Sequence, residues 1–112
     1  MSLKTAIWVS AHLRRCHAEG LTGVVARHGA DEAGALIVRV VMRDQRMMLY
    51  GAPPGPAYDE IGRRRWRALT PAPVEASEAE ARIRREVSID PDLWVVDIDD
   101  AAGTGLLDPI VA

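Results

Sequence analysis

Residues 35–51 read ALIVRVVMRDQRMMLYG, and this stretch decides the fold. Two runs rich in Val, Ile, Leu and Met, at 35–43 and 47–51, are separated by Asp44 and Gln45, a pattern typical of two β-strands joined by a tight turn. Successive side chains of a strand point to opposite faces of the sheet. The first strand therefore has one fully apolar face and one face on which arginines interrupt the apolar residues. We predict an antiparallel hairpin in a sheet with one apolar and one mixed face.

Upstream of the hairpin, the spacing of apolar residues predicts an amphipathic helix over 4–19 that ends at Gly20. Its apolar positions recur every three or four residues and should face the core: Ala6, Val9, Leu13 and Cys16. At about 100° per residue, the opposite side gathers a polar stripe that includes a tryptophan: Trp8, His12, Arg15 and Glu19. We expect Trp8 to lie on a neighbouring loop or at a subunit contact.

Downstream of the hairpin, a second helix is predicted to begin at Ser77, because Ser77 and Glu80 fit a capping box, and to stop before Pro91. The remaining strands are predicted at 22–28, 93–99 and, as a short one, 65–69. The resulting order, α-β-β-β-(β)-α-β, indicates an α+β domain with a mostly antiparallel sheet of four to five strands and two helices. Apolar residues on the mixed face need cover, so either one helix crosses to that side, giving a three-layer α/β/α sandwich, or another subunit lies there.

Length and composition indicate one domain over 1–112, with a peripheral tail from about residue 103. The single cysteine cannot form an intramolecular disulfide, and we see no leader peptide and no apolar run of about 20 residues that could span a bilayer. We therefore expect a cytoplasmic protein without a membrane segment. Basic residues are concentrated before residue 68 and acidic residues after it. Because both halves should share one core, we expect these charges to neutralise each other.

Residues 51–67, GAPPGPAYDEIGRRRWR, combine prolines, glycines, two aromatic residues, an acidic pair and four arginines, more than a structural loop usually needs. The arginines around Trp66, close to Tyr58, are similar to an edge that binds phosphates or nucleic acid, since guanidinium groups bind phosphates and aromatic rings stack on bases. Strand alternation separates the arginines between two faces, however, and Asp59 and Glu60 offer partners for an internal salt-bridge cluster.

Two pairs of residues could carry chemistry. His12 and Cys16 are four residues apart on one helix and could act as base and thiolate, or as two metal ligands. Asp97 and Asp99 share a strand face and could hold Mg²⁺ or divide acid and base roles. Cys16, however, lies on the apolar helix face, and aspartates commonly gather at a strand end. We therefore expect no metal, no cofactor and no catalytic residue, although an enzyme stays open as an alternative.

The sequence also resembles a known family, on segments that cover nearly the whole chain: LKTAIWV with LRRC, DEAGALIV, LYGAPPGPAYDE, RRWR and DPDLWVVDID. These segments are similar to a family of small bacterial proteins catalogued as a domain of unknown function, number fourteen-ninety-one. The resemblance implies a complete chain that stands alone. It implies no activity, cofactor or catalytic residue.

The leading hypothesis is a small non-enzymatic domain that works by protein–protein contact, with a homodimer as one form of that contact. The alternative is a module that binds nucleic acid or a phosphorylated ligand through the segment 63–67, and the third hypothesis is an enzyme that uses the pairs above. The candidate binding residues are Trp8, Tyr58, Asp59, Arg64, Trp66 and Arg67.

Overall fold

The structure, a computed structural model, describes residues 4–32 and 34–112. It contains two helices and a five-stranded sheet, which confirms the α+β class and the predicted order of elements. The predicted hairpin is present, and the observed elements are mostly one to three residues shorter than the predicted ones. Their bounds are α1 Thr5–Ala18, β1 Thr22–Arg27, β2 Leu36–Val41, β3 Met47–Gly51, β4 Arg67–Ala68, α2 Ala76–Ile89 and β5 Trp94–Asp99.

The strands are ordered β1-β5-β2-β3-β4, so the last strand of the chain lies inside the sheet. β5 runs parallel to β2, with Arg39 beside Asp97, and antiparallel to β1 on its other side. The pairs β2/β3 and β3/β4 are antiparallel as well. The sheet is therefore mixed but mostly antiparallel, as predicted.

The two helices lie on opposite faces of the sheet. Val9 and Cys16 of α1 pack on the apolar face against a cluster that includes Val38, Val96 and Ile98. Ala79 and Ile83 of α2 pack on the mixed face, where they bury Ile37, Leu49, Leu93 and Val95. The mixed face is therefore covered by α2 in a three-layer arrangement, and a second subunit is not needed to cover it.

The predicted capping box at Ser77 is wrong. The α2 helix begins at Ala76, its N-cap is Glu75, and no side chain caps it by a hydrogen bond. The reason lies just upstream, where Val74 and Met47 exchange two backbone hydrogen bonds of 2.8 and 2.9 Å. This pairing keeps the chain extended up to residue 74, and the helix begins as soon as the pairing ends, with Glu75 as the N-cap.

The segment from residue 103, which we expected to be peripheral, is built into the α1 side of the core. Gly103, Gly105 and Leu107 are buried, and the Tyr50 hydroxyl donates a hydrogen bond to the Gly103 carbonyl. Further along, the Trp66 amide donates to the carbonyl of Pro109 and the Val111 amide donates to the carbonyl of Trp66. The small residues of this segment allow close packing that periodicity does not reveal.

Candidate functional site: an aromatic and arginine cleft

A tight turn inside the 51–67 loop brings Tyr58 and Arg64 opposite each other as a bridged pair. Asp59 holds this turn, because its carboxylate accepts hydrogen bonds from the backbone amides of Ile61 and Arg63 and, at 2.7 Å, from Nε of Arg63. Partial burial raises the pKa of Asp59, but these bonds from Arg63 and Ile61 outweigh it, so the pKa is lowered overall. Asp59 is therefore an ionised, structural residue of the turn.

The turn meets the polar stripe of α1 in a stack of four side chains. The His12 ring lies parallel to Trp8, with 4.6 Å between centroids and 12° between planes. Arg64 Cζ lies 5.7 Å from the Trp8 centroid and 5.7 Å from the Tyr58 centroid, within the usual range of a cation–π contact. Trp66 contacts Trp8 from the side, at 5.2 Å and 48°. One guanidinium, that of Arg64, thus lies within cation–π distance of two aromatic rings, Trp8 and Tyr58.

These side chains line a cleft of about 260 Å³ between α1, the turn and the C-terminal segment. We call it the aromatic–arginine cleft and define it by Trp8, His12, Arg15, Tyr58, Arg64 and Trp66. Arg63 lies at its rim, where its Nη1 forms an ion pair of 3.0 Å with Asp108. The volume is slightly below the roughly 300–1,000 Å³ of pockets for drug-sized ligands, so the cleft suits a small ligand.

Arg64 has an incomplete set of partners. Its Nε is buried without a hydrogen-bond partner, and its Nη2 makes a long hydrogen bond of 3.4 Å to the Tyr58 hydroxyl. Within residues 4–32 and 34–112, no carboxylate forms an ion pair with Arg64. A guanidinium has five N–H donors in a fixed fork that matches a carboxylate or a phosphate. Among the described residues, the Arg64 charge therefore has no carboxylate partner and lies near two aromatic rings.

The six candidate binding residues do not form one surface. Trp8, Tyr58, Arg64 and Trp66 converge on the cleft, although Trp66 is only 2% exposed and forms its floor. Arg67 lies on β4 and lines a different depression beside α2. Arg65, which sequence reasoning grouped with these arginines, donates to the carbonyl of Pro56 at 2.6 Å and so fixes the proline-containing part of the loop.

His12 and Cys16 are not arranged as a base and a thiolate. Nε2 of His12 lies 2.8 Å from the Gly105 carbonyl, and burial lowers the pKa of His12, so its ring is neutral and Nε2 carries the donated proton. Cys16 is fully buried, and this burial raises the pKa of its thiol. His12 belongs to the cleft, which sequence reasoning missed because a helical wheel cannot show that residues near 105 cover this side of α1.

The aspartates of β5 do not converge either. Asp97 accepts two hydrogen bonds from Arg39, of 2.8 and 2.9 Å, and Arg39 also pairs with Glu80 at 3.0 Å. Asp99 is exposed, and Asp100 accepts hydrogen bonds from backbone amides of the turn that follows it. In the part of the chain that the structure describes, no group of three or more His, Cys, Asp or Glu residues could hold a metal ion.

The fold and the cleft define a small three-layer α+β domain with a single aromatic–arginine recess on its α1 side. A family model described as "Protein of unknown function (DUF1491)" matches residues 3–108, so the chain belongs to this family. No curated protein matches the chain. Among the helices of the described residues, none has the length and apolar character needed to cross a bilayer.

Solved structures of similar proteins support this assignment. The crystal structure of a DUF1491 family protein from Caulobacter crescentus CB15 has 33% sequence identity and a TM-score of 0.80, and the match covers 97% of this chain and 99% of that one. An NMR structure of a DUF1491 family protein from the same organism has a TM-score of 0.79 at 33% identity, covering 100% and 99%. The solution structure of a protein from A. tumefaciens has 37% identity and a TM-score of 0.78, covering 99% and 100%.

Proposed function

We propose that this protein is a non-enzymatic module that binds a phosphorylated small ligand in the aromatic–arginine cleft. The observation that carries the proposal is the state of Arg64, whose charge has no carboxylate partner among the described residues and whose Nε is buried without a hydrogen bond. A buried polar group without a partner costs free energy. A phosphate would supply the missing acceptors in the bidentate geometry that a guanidinium favours.

The cleft also has the surroundings that make such a contact selective. Arg15 and Arg63 line it together with Arg64, whereas Asp108 is the one acidic residue among the described lining residues and is already paired with Arg63. The positive charges exceed the negative ones at the mouth of the cleft, which favours an anion. Aromatic walls lower the local dielectric and strengthen the contact between the guanidinium and an anionic oxygen.

The distribution of the arginines favours a small ligand over a nucleic-acid strand. Arg65 is bonded to the Pro56 carbonyl, and Arg67 faces a separate depression beside α2. The segment 63–67 therefore offers no continuous basic track along which a phosphate backbone could run, as a strand-binding groove would require.

The proposal is tested by isothermal titration calorimetry with AMP at low ionic strength, on the wild type and two matched variants. Arg64→Ala should lose charge-assisted hydrogen bonds worth about 1.5–3 kcal/mol, which corresponds to about a 10- to 150-fold weaker Kd. Arg67→Ala removes the same charge outside the cleft and should change the Kd less than about twofold. Equal affinities of the two variants, or no binding of either AMP or inorganic phosphate to the wild type, would refute the proposal.

A second candidate is protein–protein contact, including a homodimer. It is supported by apolar side chains that remain exposed, with Ile61 at the tip of the 51–67 loop 77% exposed and Val24 on the edge strand β1 53% exposed. Light scattering coupled to size exclusion tests the homodimer, with Ile61→Ser and Val24→Ser as variants. A monomer at millimolar concentration would exclude the homodimer.

The buried free thiol of Cys16 fits a reducing compartment. We therefore propose a cytoplasmic location, whichever of the two candidate functions applies.

A further inference from the structure

We infer that the ligand is a nucleotide whose base enters between Trp8 and Tyr58 in place of the Arg64 guanidinium, while Arg64 turns to the phosphate of the same ligand. This inference rests on the proposed function and specifies the ligand of that site. It assigns two roles to the cleft: the aromatic rings bind a flat heterocycle, and the arginine that fills the space between them in the unliganded protein binds the anionic group.

The walls of this site are fixed in place before any ligand arrives. Trp8 is held from behind by the parallel His12 ring at 4.6 Å and from the side by Trp66 at 5.2 Å. Nε2 of His12 is itself bonded to the carbonyl of Gly105. Tyr58 belongs to the turn that Asp59 closes. A stacking site needs rings whose orientation is preset, and these contacts supply it.

The group between the walls is held much less firmly. The Arg64 guanidinium lies 5.7 Å from each ring centroid, and the one hydrogen bond that it makes among the described residues, to the Tyr58 hydroxyl, is 3.4 Å long. A guanidinium is planar and stacks on aromatic faces much as a nucleobase does. Arg64 is thus a flat group within cation–π distance of both rings, and a base that takes its place can reach the same two aromatic faces.

Arg64 has room to move when a base enters. Its side chain also lines the neighbouring depression of about 240 Å³, on the side of the carboxylates of Glu86 and Asp90. Arg64 therefore borders both recesses, and the inference requires its guanidinium to leave the two rings by rotation about the side-chain bonds. Once the base is seated, the phosphate gives the guanidinium a bidentate partner of a kind that no described residue provides.

The size of the cleft limits the ligand. About 260 Å³ is smaller than the pockets that enclose drug-sized molecules, so it suits one base with its phosphate and not a dinucleotide. The same base and phosphate could come from a free mononucleotide or from one nucleotide of a single strand. The two sources share their chemistry in the cleft and differ in salt dependence, because a strand releases more counterions on binding.

The test uses ¹⁵N NMR of the indole N–H and arginine Nε signals, with AMP, adenosine, inorganic phosphate and a six-residue oligo-dA as probes. Trp94 is an internal control, because its indole N–H donates to the Ala30 carbonyl and it packs with His28, outside the cleft. We expect AMP to shift the Trp8 and Arg64 signals and to leave Trp94 unchanged. Inorganic phosphate should shift Arg64 with a much smaller effect on Trp8.

The decisive variant is Tyr58→Leu, which keeps the bulk of the side chain and removes the ring. This substitution should raise the Kd of AMP at least about tenfold and change the Kd of inorganic phosphate less than about twofold. Trp8→Leu should do the same, and its amide spectrum shows directly whether the variant is folded. If oligo-dA binds more tightly than AMP and this difference falls steeply with salt, the base belongs to a strand. Equal affinities of oligo-dA and AMP assign the base to a free nucleotide.

The outcomes separate the inference from the proposed function. If AMP and inorganic phosphate bind equally and Tyr58→Leu affects neither, the base does not stack in the cleft and the inference is overturned, while phosphate binding by Arg64 stands. If neither probe binds to the wild type, both the proposed function and the inference are overturned.

Discussion

Replacing Trp66 by alanine should strongly destabilise the protein, although Trp66 lies in a segment that the sequence marks as a functional loop. Its side chain is 2% exposed and belongs to the core cluster on the α1 side. Large-to-small substitutions of buried Trp or Phe cost about 3–5 kcal/mol, out of about 5–15 kcal/mol for a whole domain. At about 4 °C per kcal/mol for a chain of this size, the melting temperature should fall by about 12–20 °C.

The substitution isolates the side chain, because the backbone bonds of residue 66 to Pro109 and Val111 do not need the indole. The assay is urea unfolding followed by far-UV circular dichroism, since loss of a tryptophan would distort a fluorescence signal. Tyr58→Ala in the same loop is the matched control. Tyr58 is half-buried, so the expected loss is about 1 kcal/mol. If Trp66→Ala lowers the unfolding free energy by less than about 1 kcal/mol at an unchanged m-value, the indole is not part of the core and the reasoning fails.

Three further predictions concern other buried or paired groups. Asp97→Ala should cost about 1.5–3 kcal/mol, because it removes the two hydrogen bonds that the largely buried Arg39 donates to Asp97. Glu80→Ala, on the half-exposed side of the same cluster, removes one hydrogen bond of Arg39 and should cost less than about 1 kcal/mol; urea midpoints compare the two variants. Burial lowers the pKa of His12 in the folded state below 6.5. Below about pH 6.5 the unfolded chain therefore binds more protons at this residue than the folded protein does. The free energy of unfolding should decline as the pH falls below that value, and it should decline less steeply in His12→Gln. The Cys16 thiol, buried and with a raised pKa, should react with a thiol reagent only as fast as the protein opens, and fast labelling of the native state would contradict its burial.

Local patterns predicted the elements of this fold because each pattern reports on its own segment. The alternation in residues 35–43 and the two-residue turn at Asp44 and Gln45 are enough for the β2/β3 hairpin, since both partners are adjacent in sequence. The spacing of Val9 and Cys16 likewise identifies the face of α1 that packs on the sheet. The apolar residues on the mixed face of the predicted sheet also indicated that this face needs cover.

Contacts between distant segments could not be predicted in the same way. Nothing local to residues 94–99 shows that β5 pairs with both β1 and β2, and nothing in α2 shows which face of the sheet it covers. The cleft was only partly foreseeable: the 51–67 loop was singled out by composition, but its meeting with Trp8 and His12 depends on how the turn and the C-terminal segment fold back over α1. Four arginines close in sequence also proved to have different partners, because backbone carbonyls and Asp59 hold two of them.

The position of β5 between β1 and β2 has a consequence for how the molecule is made. During synthesis the N-terminal helix and strand emerge first and the hairpin follows, but no backbone ladder joins these two parts until Trp94–Asp99 inserts between them. Such long-range pairing slows folding, because the loop entropy is lost before the contacts form. A nascent chain that stops before Trp94 would hold two parts without a shared backbone ladder, and their bare strand edges would be open to aggregation.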